Sequence, residues 1–154
     1  QYTGKQWWYR LDADSTAGQA IGDFTAVDAK SFLVIERDGG QGPTAAFKKI
    51  FLVDLDDVDA SGFLIKREVA DLLNIRDPHD VSRLGNPFRF PFVTIESVIP
   101  LDNHRLGVLN DNNYPFSAGR TANQSDNNEF IIIKLDEPLL DRHGKDHHDK
   151  DDDR

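Results

Sequence analysis

FPFVTIESVIPLDNHRLGVLNDNN, residues 90–113, has the clearest strand-and-turn pattern in the chain. Its two apolar runs, VTIESVI and LGVL, are separated by Asp102-Asn103, a pair typical of tight turns. The stretch therefore predicts two short strands joined by a turn. It ends on Asp111-Asn112-Asn113, residues that are unfavourable inside a strand but can cap, turn or ligate. Glu96 is thus expected early in the first strand, with an acid-amide cluster at the end of the second.

The same order of features occurs earlier in the chain. Residues 23–38, DFTAVDAKSFLVIERD, contain an apolar run, a turn at 28–30 and a second apolar run that ends in Glu36-Arg37-Asp38. Each copy is followed by a polar loop and then by a similar phrase, LVDLD at 52–56 and IIKLD at 132–136. Such a repeat is typical of the sheets of a β-propeller, although any antiparallel meander can produce it.

Composition limits the possible classes of protein. The chain has 154 residues, 38% of them apolar, with 11 Gly, 7 Pro and 10 Phe, which favours one all-β domain with many loops. A formal net charge of −9 argues against a nucleic-acid partner, because phosphate repels an acidic surface. The absence of Cys excludes disulfides, and no apolar run is long enough to span a membrane. With no Met and a start at Gln1, the chain is expected to be a piece of a longer polypeptide.

The predicted domain covers residues 1–140, and 141–154 form a tail. We expect an aromatic strand at 6–11 and a last strand at 129–135, whereas 63–73 fits either a fourth strand or a short helix. The tail, DRHGKDHHDKDDDR, contains no apolar residue and is predicted to be a solvated acidic and His-rich extension. A loose affinity for metal ions is the alternative role for the tail.

One segment has the spacing of an EF-hand calcium loop. Asp57, Asp59, Ser61 and Glu68 fall at ligand positions 1, 3, 5 and 12, with Gly62 at position 6. However, the preceding LVDL is typical of a strand rather than of an entering helix, and Asp-Ala-Ser-Gly is also a common hairpin turn. Both interpretations stay open at this stage.

The usual catalytic signatures are absent from the sequence. There is no G-x-S-x-G nucleophile elbow and no H-E-x-x-H zinc motif. What remains is a set of carboxylates at predicted strand ends, Glu36, Asp38, Glu96 and Asp111, with Asn112 beside the last. Oxygen ligands of this kind suit Ca²⁺ or Mg²⁺, and such a cation can polarise a phosphoryl oxygen. The alternative is that these acids only form solvated turns.

Three phrases in order resemble one protein family. FLVIERD (32–38), TIESV (94–98) and LGVLNDNNYPF (106–116) are similar to motifs in the C-terminal half of the phytase-like family, described as esterase-like activity of phytase. The resemblance extends roughly from Trp8 to Leu139. The chain departs from the family pattern at Ser97, where Gly is usual. It also departs in the earlier strand, where an Asp replaces the commoner Glu.

This resemblance implies a function and a set of site residues. It implies a secreted or periplasmic phosphoric-ester hydrolase that acts on a small phosphate ester. The enzyme would depend on a divalent cation, for which Ca²⁺ is the first candidate. The implied catalytic residues are Glu36, Arg37, Glu96 and Asp111. The implied metal ligands are Glu36, Glu96, Asp111 and Asn112. The alternative calcium site is the loop with EF-hand spacing, Asp57, Asp59, Ser61 and Glu68, which the resemblance does not involve.

The resemblance also implies the architecture and the partner. The fold is expected to be all-β and to form about two blades of a β-propeller, each an antiparallel four-stranded sheet. Because a propeller needs more blades, the rest would come from missing N-terminal sequence or from a partner chain. The alternative function is a non-catalytic propeller segment that serves as a binding or structural component of a larger assembly.

Overall fold

Two antiparallel sheets make up the protein in a computed structural model that describes residues 1–12 and 18–140. The first sheet has the order β1-β2-β3-β4, and the second has the order β5-β6-β7. The strands are β1 (Ala20–Ala26), β2 (Ser31–Arg37), β3 (Lys48–Val58), β4 (Leu64–Asp71), β5 (Thr94–Asp102), β6 (Arg105–Asp111) and β7 (Phe130–Lys134). No helix in these described ranges is long and apolar enough to cross a bilayer.

The all-β prediction and the internal repeat are confirmed. The stretch quoted first forms the β5–β6 hairpin, and the earlier copy forms the β1–β2 hairpin. The two similar phrases fall in the third strands, β3 and at the end of β7. Residues 63–73 contain a strand, β4, rather than a helix.

The predicted architecture is confirmed in part. The described residues form two antiparallel sheets, the first with the expected four strands and the second with three, and these sheets do not form a closed propeller. The expectation of an aromatic strand at 6–11 is wrong. Residues 6–11 are not a strand and form only a single bridge, between Trp8 and Phe63. The segment instead lies against the sheet through its side chains, since the Trp7 indole donates to the Leu55 carbonyl and Tyr9 packs on a small apolar cluster. The predicted tail, 141–154, lies outside the described residues.

The main apolar core lies between the two sheets. The period-two alternation of the strands turns one set of side chains inward from each sheet. Rings from the segment between β4 and β5 fill the remaining space. The fully buried members include Leu33, Ile35, Ile50, Phe90, Phe92, Ile95, Leu106 and Val108. A smaller cluster around Val34, Val53 and Leu64 covers the opposite face of the first sheet.

The sheets meet most closely where β1 passes β5. A Cβ atom at Gly22 would overlap the carbonyl oxygen of Ile95, so only glycine permits this approach of the two backbones. One residue further on, the Asp23 carboxylate accepts a hydrogen bond from the Val98 amide at 2.8 Å. We call this contact between β1 and β5 the seam.

A buried ion pair closes the loop between β2 and β3. Lys48 Nζ lies 2.7 Å from Asp38 Oδ1, and both side chains are almost completely buried. Asp38 Oδ2 also accepts the amides of Ala46 and Phe47. Burial alone would raise the pKa of Asp38, but the hydrogen bonds from Lys48 and the two amides outweigh it and hold that pKa below its usual value.

We expect Asp38→Asn to destabilise the protein, because it leaves the Lys48 ammonium buried without a counter-charge. Breaking a buried pair in this way costs roughly 3–5 kcal/mol. The free energy of unfolding in guanidinium chloride measures the loss. Asp56→Asn, which removes a partner from the exposed Lys30–Asp56 pair, is the matched control and should change little.

The same pair predicts a dependence on pH. Since the pKa of Asp38 is lower in the folded state, its contribution is complete above the unfolded value, about 3.9, and is lost as the pH falls through the folded value. Wild-type stability should therefore drop in acid, and the drop should be smaller in Asp38→Asn. Equal acid profiles for the two proteins would contradict this assignment.

Candidate functional site

Arg37 and Glu96 face each other from different sheets beside the seam. The Nη2 atom of Arg37 lies 3.8 Å from Oε1 of Glu96, which is an ion pair but too long for a hydrogen bond. The Arg37 side chain is only 13% exposed, whereas that of Glu96 is 45% exposed. The Nε of Arg37 is buried and has no hydrogen-bond partner among residues 1–12 and 18–140. A buried guanidinium donor without an acceptor is costly, and this marks the position as a candidate binding site.

Local structure explains how each side chain reaches this place. In β2, the alternation that turns Leu33 and Ile35 into the main core also directs Arg37 to that side, at the end of the strand. Glu96 lies in a β-bulge, since the pairing of β5 with β6 shifts between Ile95 and Ser97. A bulge re-aims the side chain at its position. The bulge therefore accounts for an exposed Glu96 beside the core.

Glu36 lies on the other face of β2, away from Glu96. Its side chain is fully buried, and Oε2 accepts hydrogen bonds from the Tyr9 hydroxyl and the Lys66 ammonium, both at 2.9 Å. Its Oε1 accepts the backbone amide of Asp12 at 2.5 Å. Burial, followed by the charge of Glu36, raises the pKa of the Tyr9 hydroxyl. Glu36 thereby fastens the N-terminal segment to the first sheet.

Asp111 ends β6 directly opposite Thr94, two residues before Glu96 on the neighbouring strand. Asp111 is exposed, and its Oδ1 accepts the amide of Asn113 at 3.0 Å. Asn112 is engaged by the following loop, because its backbone and side-chain amides donate to acceptors near residues 126–128. Asp111 therefore lies at the same end of the second sheet as Glu96, while Asn112 organises a loop.

The alternative calcium loop is a hairpin turn between β3 and β4. Asp59 Oδ1 accepts the amides of Phe63 and Ser61, at 3.0 and 2.8 Å. These hydrogen bonds lower the pKa of Asp59, and the bond from Phe63 has the largest effect. The Glu68 carboxylate is 2.7 Å from a lysine of β3 instead of turning toward the loop, and Asp57 is exposed. The turn interpretation accounts for the EF-hand-like spacing.

The predicted metal ligands are not brought together. In the part of the chain that the structure describes, no group of three or more His, Asp or Glu side chains is placed to hold a metal ion. In the first predicted set of ligands, the Glu36 carboxylate faces away from the Glu96 carboxylate, so the two are not placed to share an ion. The calcium sites therefore stay predictions, and the proposed chemistry uses the protein's own side chains.

The burial of two lysine side chains was not predicted from the sequence. Lys48 and Lys66 are the partners of Asp38 and Glu36, and each lies within a strand where a lysine is usually solvated. A weak signal was available for Lys66, since alternation in LIKREV puts it on the same face as the buried Leu64. No local signal points to Lys48, because its burial depends on the loop that folds over it.

Comparison with known proteins gives one finding. The family model Phytase-like, described as esterase-like activity of phytase, matches residues 1–114. No curated protein and no solved structure matches the chain. The matched part contains β1 to β6, and with them the Arg37–Glu96 pair, Glu36 and Asp111; it ends before β7. As it spans most of the 154 residues, this chain belongs to the phytase-like family.

Proposed function

We propose that the protein is a phosphoric-ester hydrolase whose substrate phosphate binds at Arg37, beside Glu96. The observation that carries the proposal is the Arg37 guanidinium: it is largely buried, its Nε has no acceptor in the part of the chain that the structure describes, and the Glu96 carboxylate lies 3.8 Å from its Nη2 atom. Family membership supports an esterase-type hydrolase in general. The site adds a reason to favour a phosphate ester over a neutral one.

Arg37 supplies the anion recognition. A guanidinium has five N–H donors in a planar fork that matches two oxygens of a phosphate. The present ion pair with Glu96 uses this capacity poorly, because 3.8 Å exceeds hydrogen-bond length. An incoming phosphate would gain charge-assisted hydrogen bonds and would be stabilised further as negative charge develops in the transition state.

Glu96 supplies a base close to the bound phosphate. It is half exposed, so its carboxylate can accept a proton from a water molecule that attacks phosphorus. The ester P–O bond to the alcohol breaks as the new P–O bond forms, and the leaving oxygen takes up a proton from Glu96 or from solvent. Asp111 is a second exposed carboxylate at the same end of the sheet. We assign Glu36 to stabilising the fold, although the resemblance implied a catalytic role, because its carboxylate is buried on the opposite face of β2.

Three further parts of the proposal rest on the family resemblance. The first is dependence on a divalent cation, with Ca²⁺ as the first candidate. The second is a location outside the cytoplasm, and the third is completion of the propeller by further sequence or by a partner chain. No reaction step described above depends on the cation.

A second candidate function, that of a structural segment in a larger assembly, is favoured by one surface. The outer face of the second sheet exposes Ile99, Leu101, Leu109, Phe130 and Ile132. Apolar side chains that adjoin each other on a sheet face are typical of a packing surface for another element. A structural segment requires no catalysis, so an assay of hydrolytic activity distinguishes the two candidate functions.

We expect Glu96→Gln to lower kcat/KM for p-nitrophenyl phosphate by about 10²-fold, since it removes the general base. Arg37→Gln should raise KM and lower kcat, because the charge that binds and stabilises the phosphate is lost. Steady-state assays of the whole 154-residue chain, with Ca²⁺ and with EDTA, measure both effects and the cation dependence. The matched control is Glu68→Gln, a carboxylate on β4 that is paired with Lys49.

The substrate and the control define the contrary outcomes. Hydrolysis of p-nitrophenyl acetate without hydrolysis of the phosphate would contradict the assignment of a phosphate ester. Activity toward neither compound by the folded wild-type chain would favour the structural candidate. Equal losses in Glu96→Gln and Glu68→Gln would remove Glu96 from the chemistry.

We expect Glu36→Gln to act on stability. The neutral amide weakens the charge-assisted hydrogen bonds of Tyr9 and Lys66, and bonds of this kind contribute roughly 1.5–3 kcal/mol each. Chemical unfolding measures this loss, and kcat/KM per folded molecule should stay near the wild-type value. A large fall in kcat without a fall in stability would instead return Glu36 to the catalytic residues.

A further inference from the structure

The edge of the second sheet at β7 is unpaired in the described residues. The sheet has the order β5-β6-β7, so β7 (Phe130–Lys134) hydrogen-bonds to β6 on one side and to no described strand on the other. The first sheet differs, because its third strand, β3, pairs with a fourth, β4. An uncovered edge strand presents a row of backbone donors and acceptors to any other extended chain.

The internal repeat shows what is missing. The hairpin and third strand of the first sheet, β1-β2-β3, match β5-β6-β7 in order and in antiparallel pairing. The first copy then continues into β4, whose sequence with the preceding residue is FLIKREVAD. Residues 135–140 contain no strand. The second sheet therefore lacks the counterpart of β4 within the described residues.

The pairing of β7 with β6 identifies the backbone groups at the free edge. The Leu135 amide donates to the His104 carbonyl at 2.8 Å, and the Asn110 amide donates to the Glu129 carbonyl at 3.4 Å. In an antiparallel ladder the hydrogen-bonded pairs alternate. Odd-numbered residues from 129 to 135 therefore bond inward to β6. The amides and carbonyls of Phe130, Ile132 and Lys134 are directed to the free edge.

A groove of about 830 Å³ runs beside this edge. One wall is formed by residues 132–136 and the other by the end of β4 and the segment after it. Val69, Ala70 and Ile75 line the second wall and pack against the main apolar core while remaining partly exposed. A strand paired with β7 would lay alternate side chains on these three residues. The groove thus offers backbone pairing on one side and an apolar surface on the other.

We propose that the β7 edge binds an extended peptide segment with apolar residues at alternate positions, as the fourth strand of the second sheet. This mode of binding is β-augmentation, in which the main chain supplies affinity and alternate side chains supply specificity. The occupant is a single extended segment rather than a second folded copy, because the edge lies in a groove with β4 on its far side. The inference rests on the proposed completion of the fold and not on the proposed hydrolysis.

The experiment uses the whole 154-residue chain and a fluorescein-labelled synthetic peptide, FLIKREVAD, as the probe. This sequence, residues 63–71, fills the fourth position of the first sheet. We expect saturable binding by fluorescence anisotropy and none with a scrambled peptide of the same composition. Saturation by the scrambled peptide as well would overturn the proposal, because it would show binding without strand recognition.

Two variants at one position separate the backbone from the side chain. Ile132→Pro removes an N–H that points to the free edge, while the inward bonds to β6 stay intact. It should weaken binding roughly tenfold, as expected for one lost hydrogen bond plus the obstructing ring. Ile132→Ala shortens the same side chain and keeps the amide, so its affinity should remain close to that of wild type. Equal affinities of the two variants would overturn the proposal.

Modified peptides test the same contact without changing the protein. Two versions of the probe carry backbone N-methyl groups at alternate residues, one at the even positions and one at the odd positions. Because only one edge of the bound peptide faces β7, one version should lose binding and the other should keep it. Retention of binding by both would overturn the proposal, even if Ile132→Pro fails to fold by circular dichroism.

The remaining outcomes distinguish other occupants and the hydrolase. A concentration-dependent dimer that Ile132→Pro disrupts, with no peptide binding by the wild-type chain, would assign the edge to a second copy and overturn the proposal. Glu96→Gln should bind the peptide as wild type does, since Glu96 lies on the opposite edge strand of the sheet, β5. Loss of hydrolysis and loss of peptide binding are thereby independent results.

Discussion

The close approach of two backbones at Gly22 sets how the two sheets pack against each other. With no Cβ at this position, β1 lies directly against the Ile95 carbonyl of β5, and the Asp23 carboxylate then receives the Val98 amide. A single main core fills the space between the sheets behind this contact. Any larger residue at the seam would separate the two sheets and open that core to water.

The seam also decides where chemistry is available. It brings the end of β2 beside the bulge of β5, so that Arg37 and Glu96 meet although 58 positions separate them in the sequence. The buried charges elsewhere are satisfied: Glu36 has three hydrogen-bond donors, and Asp38 has Lys48 and two amides. Among the described residues, the buried side-chain polar atoms without a hydrogen-bond partner are the Nε of Arg37 and the Oε1 of Gln19, and only the first belongs to a charged group.

The second sheet leaves both an apolar face and a strand edge uncovered by the described residues. Its outer face exposes Ile99, Phe130 and Ile132, its β7 edge is unpaired in the described residues, and a groove with an apolar wall runs beside that edge. The first sheet shows the completed form, with a fourth strand in place and the N-terminal segment fastened over one face by Glu36. The two sheets therefore share one strand arrangement, which is complete in the first sheet, and the proposed site lies where the two sheets meet.

Local sequence patterns were sufficient to predict the two hairpins, the third strand of each copy and the repeat, because these depend on alternation and turn residues within a few positions of each other. The sequence also identified the family, through motifs that contain Glu36, Arg37, Glu96 and Asp111. Which of these side chains lie near each other depends on how the strands pack in three dimensions. Adjacent residues in a strand point to opposite faces, so the side chains of Glu36 and Arg37 lie on opposite sides of β2. A β-bulge, which no local sequence pattern predicted, turns the side chain of Glu96 toward Arg37. The burial of Lys48 and the unpaired edge of β7 were likewise decided by packing between distant segments, which no short stretch of sequence encodes.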